Sequence, residues 1–120
     1  MATVLIVDDS RTSRKILKNI LEKNCFEVIG EAQDGEQGYL KYKECKPDIV
    51  TMDITMPGMD GIECLSLIKK ENEDAKVVMI TAAGQREKMV SAVKRGAVEY
   101  ITKPFDEFEI VNVLNRVAES

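Results

Sequence analysis

Short apolar runs alternate along this chain with longer segments whose apolar residues recur every three or four positions. The runs predict five β-strands, at about 4–7, 26–32, 49–52, 77–80 and 100–102. The periodic segments predict five amphipathic helices, the first starting near Ser10 and the others covering about 35–46, 61–72, 86–95 and 106–118. Strands and helices are therefore expected to alternate along the whole chain.

Local signals mark the ends and the buried faces of these elements. Ser10 is of a type that caps helix N-termini, and Gly96 is typical of a helix C-terminus. Gly30 interrupts the second strand, so we expect that strand at an edge of the sheet. The apolar positions predicted to face inward on the first and fifth helices are Ile16, Leu17, Ile20, Leu21, Ile110, Val111, Leu114 and Val117.

The alternation favours a doubly wound α/β fold with one parallel sheet. Parallel strands joined by right-handed crossovers carry helices on both faces of the sheet. The 120 residues are enough for one such domain and leave no room for a linker or a second domain. Folds of this kind bind ligands at the carboxyl ends of their strands. We therefore expect the functional site at that edge of the sheet.

Polar residues follow four of the predicted strands. Asp8 and Asp9 follow the first strand, Asp53 the third, Thr81 the fourth and Lys103 the fifth. Because parallel strands end at a common edge, three carboxylates, a hydroxyl and an ammonium would share one crevice. The carboxylates outnumber the ammonium, and like charges at short range need compensation. A divalent cation, Mg²⁺ in particular, would provide it.

The residue inventory limits which metal such a site would take. The chain has no histidine, which removes histidine-based catalysis and most transition-metal sites. Mg²⁺ prefers oxygen ligands, keeps several waters and binds through one or two carboxylates beside a phosphate. We expect Asp9 and Asp53 to bind it directly and Asp8 to act through water. The backbone carbonyl of Thr55 would complete the set of ligands.

A carboxylate beside Mg²⁺ can accept a phosphoryl group. Asp53 is the best candidate acceptor, because it stands alone after its strand whereas Asp8 and Asp9 form a pair. Lys103 would offer its charge, and Thr81 its hydroxyl, to the phosphoryl oxygens. Taken singly, each residue also fits a simpler role, such as capping a turn or lying on the surface. Their shared position after strands favours the joint interpretation.

Composition excludes several other classes of protein. A net charge of -4 argues against a nucleic-acid-binding surface. The apolar runs are far shorter than the roughly 18 residues of a membrane span, and the N-terminus lacks the pattern of a secretory signal. Cys25, Cys45 and Cys64 form no C-x-x-C motif, and we interpret them as reduced thiols of a cytoplasmic protein.

The chain resembles the receiver domains of two-component response regulators, and among them the stand-alone CheY-like chemotaxis regulators. The matching segments are V-L-I-V-D-D-S, K-P-D-I-V-T-M-D-I-T-M-P-G-M-D-G, V-V-M-I-T-A-A and G-A-V-E-Y-I-T-K-P-F. The resemblance implies a flavodoxin-like (βα)5 fold with a five-stranded parallel sheet of order 2-1-3-4-5. It also implies that residues 1–120 form a single receiver domain with no output domain.

The resemblance further assigns roles to individual residues. It implies that Asp53 is the phosphoacceptor, that Asp8 and Asp9 are the acidic pair for Mg²⁺, and that the Thr55 carbonyl is the third protein ligand. It also assigns roles to residues that would bind the phosphoryl oxygens or change the surface to which a partner protein binds. In this group Thr81 is the switch hydroxyl, Tyr100 the aromatic that turns inward, Lys103 the phosphoryl-binding lysine, and Lys103–Pro104 a cis peptide bond.

The function implied is that of a phosphorylation switch. A histidine kinase would be the phosphodonor, and the monomeric domain would catalyse only its own phosphorylation and dephosphorylation. Control of a flagellar motor switch protein in chemotaxis is favoured over a phosphorelay that passes the phosphoryl group to a histidine phosphotransfer protein. A Mg²⁺-dependent aspartyl phosphohydrolase would need a second Asp at position 55, where this chain has Thr55. A flavin carrier would need a phosphate-binding loop where Asp8 and Asp9 would repel phosphate.

Overall fold

The predicted alternation of strands and helices is present along the chain, and the computed structural model describes residues 1–120. No helix is both long and apolar enough to cross a membrane. In chain order the elements are β1 (Thr3–Val7), α1 (Arg11–Lys23), β2 (Glu27–Ala32), α2 (Gly35–Cys45), β3 (Ile49–Asp53), α3 (Gly61–Glu71), β4 (Val77–Thr81), α4 (Arg86–Lys94), β5 (Glu99–Thr102) and α5 (Glu107–Glu119).

The five strands form one parallel sheet in the order β2-β1-β3-β4-β5. This confirms the predicted doubly wound fold and the placement of β2 at an edge. β2 stays continuous through Gly30, and its pairing with β1 shifts register between Val4 and Leu5. The register sets Val7 beside Met52 and Thr81 beside Thr102, so the polar residues that end the strands lie along one edge.

Two apolar cores cover the two faces of the sheet. Successive side chains of a strand point to opposite faces, so Val4 and Ile6 join one core while Leu5 and Val7 join the other. The core of 13 buried residues packs α1 and α5 on the sheet. The core of 15 buried residues packs α2, α3 and α4 on the opposite face. Both faces are thus closed, which leaves the ends of the strands as the place for polar chemistry.

The helices begin where their capping residues predict. Ser10 accepts a hydrogen bond from the Ser13 N–H at 3.2 Å, and an aspartate caps each of α2, α3 and α5 in the same way. Gly96 follows α4 with a φ of 106°, a conformation that favours glycine at helix ends. Helix ends therefore lie within one or two residues of the predicted positions.

The predicted inward faces of α1 and α5 need correction at two positions. Ile16 is 45% exposed, and Val111 is only half-buried. Adjacent helical residues point about 100° apart, so Ile16 and Leu17 cannot both face the sheet centrally, and the same holds for Ile110 and Val111. Val113 is buried instead, because it lies three residues after Ile110 on the same side of the helix.

Candidate functional site

Three carboxylates meet where β1 and β3 end. Asp8 and Asp9 follow β1 directly, and Asp53 is the last residue of the neighbouring β3. One carboxylate oxygen from each residue lies within 4.8 Å of the others. Asp8 and Asp53 are buried and Asp9 is exposed. We call Asp8, Asp9 and Asp53 the acidic cluster.

Lys103 is the cation that contacts this cluster. Its Nζ lies 3.2 Å from Asp8 Oδ2 and 3.5 Å from Asp53 Oδ2. The Lys103 backbone N–H donates to the Thr81 carbonyl at 2.8 Å, which fixes the end of β5 against β4. The peptide bond between Lys103 and Pro104 is cis. A single ammonium thus faces two buried carboxylates, and the site keeps an excess of negative charge.

The pKa of Asp53 shows the electrostatic consequence. The pKa of Asp53 is raised from 3.8 to about 6, chiefly by burial of the carboxyl and then by the nearby charge of Asp8, while the Lys103 ammonium opposes both effects. Asp9 adds a smaller contribution in the same direction as Asp8. Ionisation of Asp53 is therefore less favourable than that of an ordinary aspartate, and further positive charge would favour it.

The available ligand atoms fit a hard divalent cation. All three side chains of the acidic cluster offer carboxylate oxygens, which Mg²⁺ and Ca²⁺ prefer. Thr55 is exposed in the loop after Asp53, and its backbone carbonyl accepts no backbone hydrogen bond. Asp8 already accepts from the Ser10 N–H at 2.8 Å and contacts Lys103. The carboxylates of the acidic cluster, including exposed Asp9, and the backbone carbonyl of Thr55 thus offer oxygen atoms to a cation.

The loop that follows Asp53 is held tightly against the sheet. The Ile54 N–H donates to the Ile80 carbonyl at 3.0 Å, and the Gly61 N–H donates to the Ile54 carbonyl at 2.8 Å. A Cβ at position 61 would overlap the carbonyl oxygen of Asp53, so only glycine allows this approach. The start of α3 therefore fixes the backbone of Asp53 from outside the sheet.

Thr81 and Tyr100 lie on the β4–β5 side of the site. Thr81 is buried at the end of β4, and its hydroxyl lies 3.1 Å from the Gln85 Oε1. Tyr100 in β5 is 46% exposed. Gln85 also contacts Thr55, and no sequence pattern pointed to it. Its amide becomes relevant only because the fold brings the β4–α4 loop beside the loop after Asp53.

The sequence of the chain matches a known protein family. The sequence model of the response regulator receiver domain matches residues 4–115. The chain is 47% identical to the chemotaxis protein CheY of Thermotoga maritima over 116 residues, covering 97% of each chain. It is 46% identical to the chemotaxis protein CheY of Bacillus subtilis over 113 residues, covering 94% of each chain.

Solved structures show the same similarity in three dimensions. One is a chain of the CheX–CheY–BeF3–Mg complex from Borrelia burgdorferi, with a TM-score of 0.92 and 42% identity over 97% of this chain and 88% of that one. Another is the receiver domain of NtrX from Brucella abortus, with a TM-score of 0.92 and 34% identity over 98% of each chain.

Proposed function

The chain belongs to the response regulator receiver domain family, and on that basis we propose that Asp53 accepts a phosphoryl group from a histidine kinase. It is homologous to the CheY chemotaxis regulators and is a CheY-like phosphoacceptor of two-component signalling. The observation that carries the choice of residue is the position of Asp53. It ends the central strand β3, in contact with Lys103 and beside both other carboxylates.

Mg²⁺ is the cation we propose for the acidic cluster. Asp9, Asp53 and the Thr55 carbonyl would hold it, and Asp8 would act through water. When bound, the ion neutralises charge on the carboxylates and on the incoming phosphoryl oxygens. The oxygen-only donor set and the raised pKa of Asp53 both support a cation at this place. The choice of Mg²⁺ over Ca²⁺ follows from the phosphate chemistry.

The transfer step uses the residues around Asp53. A carboxylate oxygen of Asp53 attacks phosphorus, so a new P–O bond forms while the P–N bond of the donor phosphohistidine breaks. The electron pair of that bond stays on the imidazole nitrogen. Lys103 already contacts Asp53 at 3.5 Å and would then pair with a phosphoryl oxygen. Apart from this step and the later hydrolysis of its own acyl phosphate, we propose no enzymatic activity.

The output would follow from movement of Thr81 and Tyr100. The Thr81 hydroxyl would turn to a phosphoryl oxygen, and the half-exposed Tyr100 ring would fill the space that it leaves. The surface of α4, β5 and α5 carries exposed apolar side chains, including Val90 and Phe108. A protein partner that binds the altered surface more tightly would stabilise the phosphorylated conformation.

Mass spectrometry of the intact protein tests the phosphoacceptor. Incubation with acetyl phosphate and Mg²⁺ should add one phosphoryl group, and a chelator should prevent the addition. Asp53→Asn should remain unmodified, whereas Asp74→Asn, which changes an exposed aspartate in the loop before β4, should react like the wild type. A full adduct on Asp53→Asn would place the phosphoryl group elsewhere.

We propose a flagellar motor switch protein as the output partner, because the near full-length similarity is to chemotaxis proteins. The competing candidate is a histidine phosphotransfer protein of a phosphorelay. Titration of the phosphorylated and unmodified domain against each type of partner separates them. Binding to the motor protein that requires phosphorylation supports chemotaxis, while rapid phosphoryl transfer to the phosphotransfer protein without motor binding supports the relay.

A further inference from the structure

The side-chain amide of Gln85 connects three groups at the mouth of the site. Its Oε1 accepts hydrogen bonds from the Thr81 hydroxyl at 3.1 Å and from the Ala82 N–H at 3.2 Å. Its Nε2 donates to the hydroxyl of Thr55, two residues after Asp53. The amide thus joins the end of β4 to the loop after β3. We call this set of contacts the Gln85 bridge.

The partners fix the orientation of the amide. The Ala82 N–H can only donate, so the Gln85 atom that faces it must be the oxygen. The Nε2 then faces Thr55, whose hydroxyl can accept. Every polar atom of the amide is therefore matched with a suitable partner. Such matching is what holds a side chain in one conformation on a partly exposed loop.

The bridge competes with the proposed action of Thr81. A hydroxyl has one proton to donate, and the acceptors near the Thr81 hydroxyl are Gln85 Oε1 and the Ala82 carbonyl, both in the β4–α4 loop. Neither belongs to the acidic cluster. Donation to a phosphoryl oxygen on Asp53 would therefore take this proton away from both Gln85 Oε1 and the Ala82 carbonyl.

The bridge also lies at the start of the output surface. Gln85 is the residue that immediately precedes α4, yet its side chain caps no N–H of that helix. The amide is committed to Thr55, Thr81 and Ala82 instead. Release of Thr81 would therefore remove one of the three contacts that hold the Gln85 amide beside the first turn of α4.

From these contacts we infer that Gln85 is a positioning residue that holds the Thr81 hydroxyl in its resting orientation and so opposes phosphoryl binding at Asp53. This rests on the proposed function of Asp53 and Thr81. Loss of the bridge removes stabilisation from the resting conformation only, so the active conformation becomes more populated. One net hydrogen bond corresponds to a shift of about two- to tenfold in that equilibrium.

The first test needs no ligand. Three-bond NMR couplings of the Thr81 methyl group report its χ1 rotamer in the metal-free protein. We expect one rotamer in the wild type and averaging between rotamers in Gln85→Ala. The matched control is Gln33→Ala, which changes an exposed glutamine after β2. A single unchanged rotamer in Gln85→Ala would overturn the inference.

The second test measures binding of beryllofluoride, a phosphoryl analogue, in the presence of Mg²⁺. Gln85→Ala should bind it about two- to tenfold more tightly than the wild type, and Gln33→Ala should match the wild type. In a Thr81→Ala background the gain should vanish, because no hydroxyl remains to be held. A gain that persists in that background, or no gain at all, would contradict the role assigned to Gln85.

The same titration separates this inference from the proposed function. If the wild type and Asp53→Asn bind beryllofluoride equally, the phosphoacceptor assignment itself is wrong. If binding depends on Asp53 but not on Gln85, only the role of the bridge is wrong. Thermal unfolding of each variant shows whether the fold is retained, which we expect since Gln85 lies in a loop outside both apolar cores.

Discussion

At the scale of single residues, Asp53 has the least favourable surroundings in the site. Its carboxyl is buried beside Asp8 and near Asp9, and one ammonium, from Lys103, offsets their charge. A buried carboxylate in such a place costs free energy that an ordinary surface aspartate does not. Carboxyl groups with a strongly shifted pKa are typical of functional sites. Here the clustered carboxylates that cost stability are also the groups that would bind a cation beside a phosphoryl group.

This cost predicts a pH-dependent gain in stability for Asp53→Asn in metal-free protein. The pKa of Asp53 is about 6 in the folded protein and near 3.8 when unfolded, so the folded state binds more protons between these values. The free energy of unfolding of the wild type therefore falls as the pH rises through this window, and the loss is complete above pH 6. Asn, which is neutral throughout, should be more stable than Asp by about 3 kcal/mol above that pH.

Urea denaturation in the presence of a chelator measures the difference between the two proteins. The advantage of Asp53→Asn should shrink as the pH is lowered through about 6, the pKa of folded Asp53, and disappear below 3.8, where Asp53 is protonated in both states. Asp74→Asn should show no such pH-dependent gain, because this exposed residue precedes β4 and so lies at the opposite edge of the parallel sheet from the acidic cluster. Equal stability of wild type and Asp53→Asn at neutral pH would contradict the electrostatic description of the site.

At the scale of elements, α2 packs closely on the end of β1, directly before Asp8. Gly38 lies in the first turn of α2, and a Cβ there would come within 2.9 Å of Cγ1 and 3.1 Å of Cγ2 of Val7. Val7 is buried and immediately precedes Asp8. The absence of a side chain at Gly38 thus lets the helix pack closely on the end of β1. The role of Gly38 is to allow this approach.

Gly38→Ala should therefore destabilise the protein, although alanine is the better helix former by about 1 kcal/mol. The added methyl group meets a β-branched side chain with little freedom to move, and overpacking of this kind costs about 1–3 kcal/mol. We expect a net loss of about 1 kcal/mol in the free energy of unfolding. Chemical denaturation of Gly38→Ala, Val7→Ala and the double variant checks this.

The double variant provides the control for this prediction. Removal of the Val7 methyl groups opens the space that the alanine needs, so Gly38→Ala should be neutral or stabilising in the Val7→Ala background. If Gly38→Ala lowered the free energy of unfolding equally in both backgrounds, the cause would lie within α2 and not in the contact between Gly38 and Val7.

The elements also show which features a sequence can reveal. Strand and helix order follows from hydrophobic periodicity, and ends follow from local residues such as Ser10 and Gly96. The acidic cluster was predictable because parallel strands bring Asp8 and Asp53 to one edge. Gln85 was not, because its partner Thr55 comes from another loop and no local pattern specifies the distance between the two. Which of two adjacent apolar residues is buried, as at Ile16, depends likewise on helix rotation.

At the scale of the whole molecule, the site joins parts of the chain that are distant in sequence. Asp8 follows β1, Asp53 ends β3, Thr81 ends β4 and Lys103 follows β5, so the unfolded chain has no comparable cluster. A cation held by this cluster binds only the folded protein. Its binding free energy therefore adds to the stability of the entire domain.

Mg²⁺ should consequently raise the unfolding temperature in a concentration-dependent way. Above the dissociation constant, each tenfold increase in Mg²⁺ should add about 1.4 kcal/mol to the free energy of unfolding. The effect should weaken in Asp9→Asn and Asp53→Asn, which remove proposed ligands, and stay intact in Asp74→Asn. Sodium chloride at matched ionic strength separates ion binding from general screening of the net charge of -4. Equal stabilisation by both salts would mean that the acidic cluster holds no specific cation. A response to Mg²⁺ that depends on both aspartates would link the local excess of negative charge to the stability of the fold.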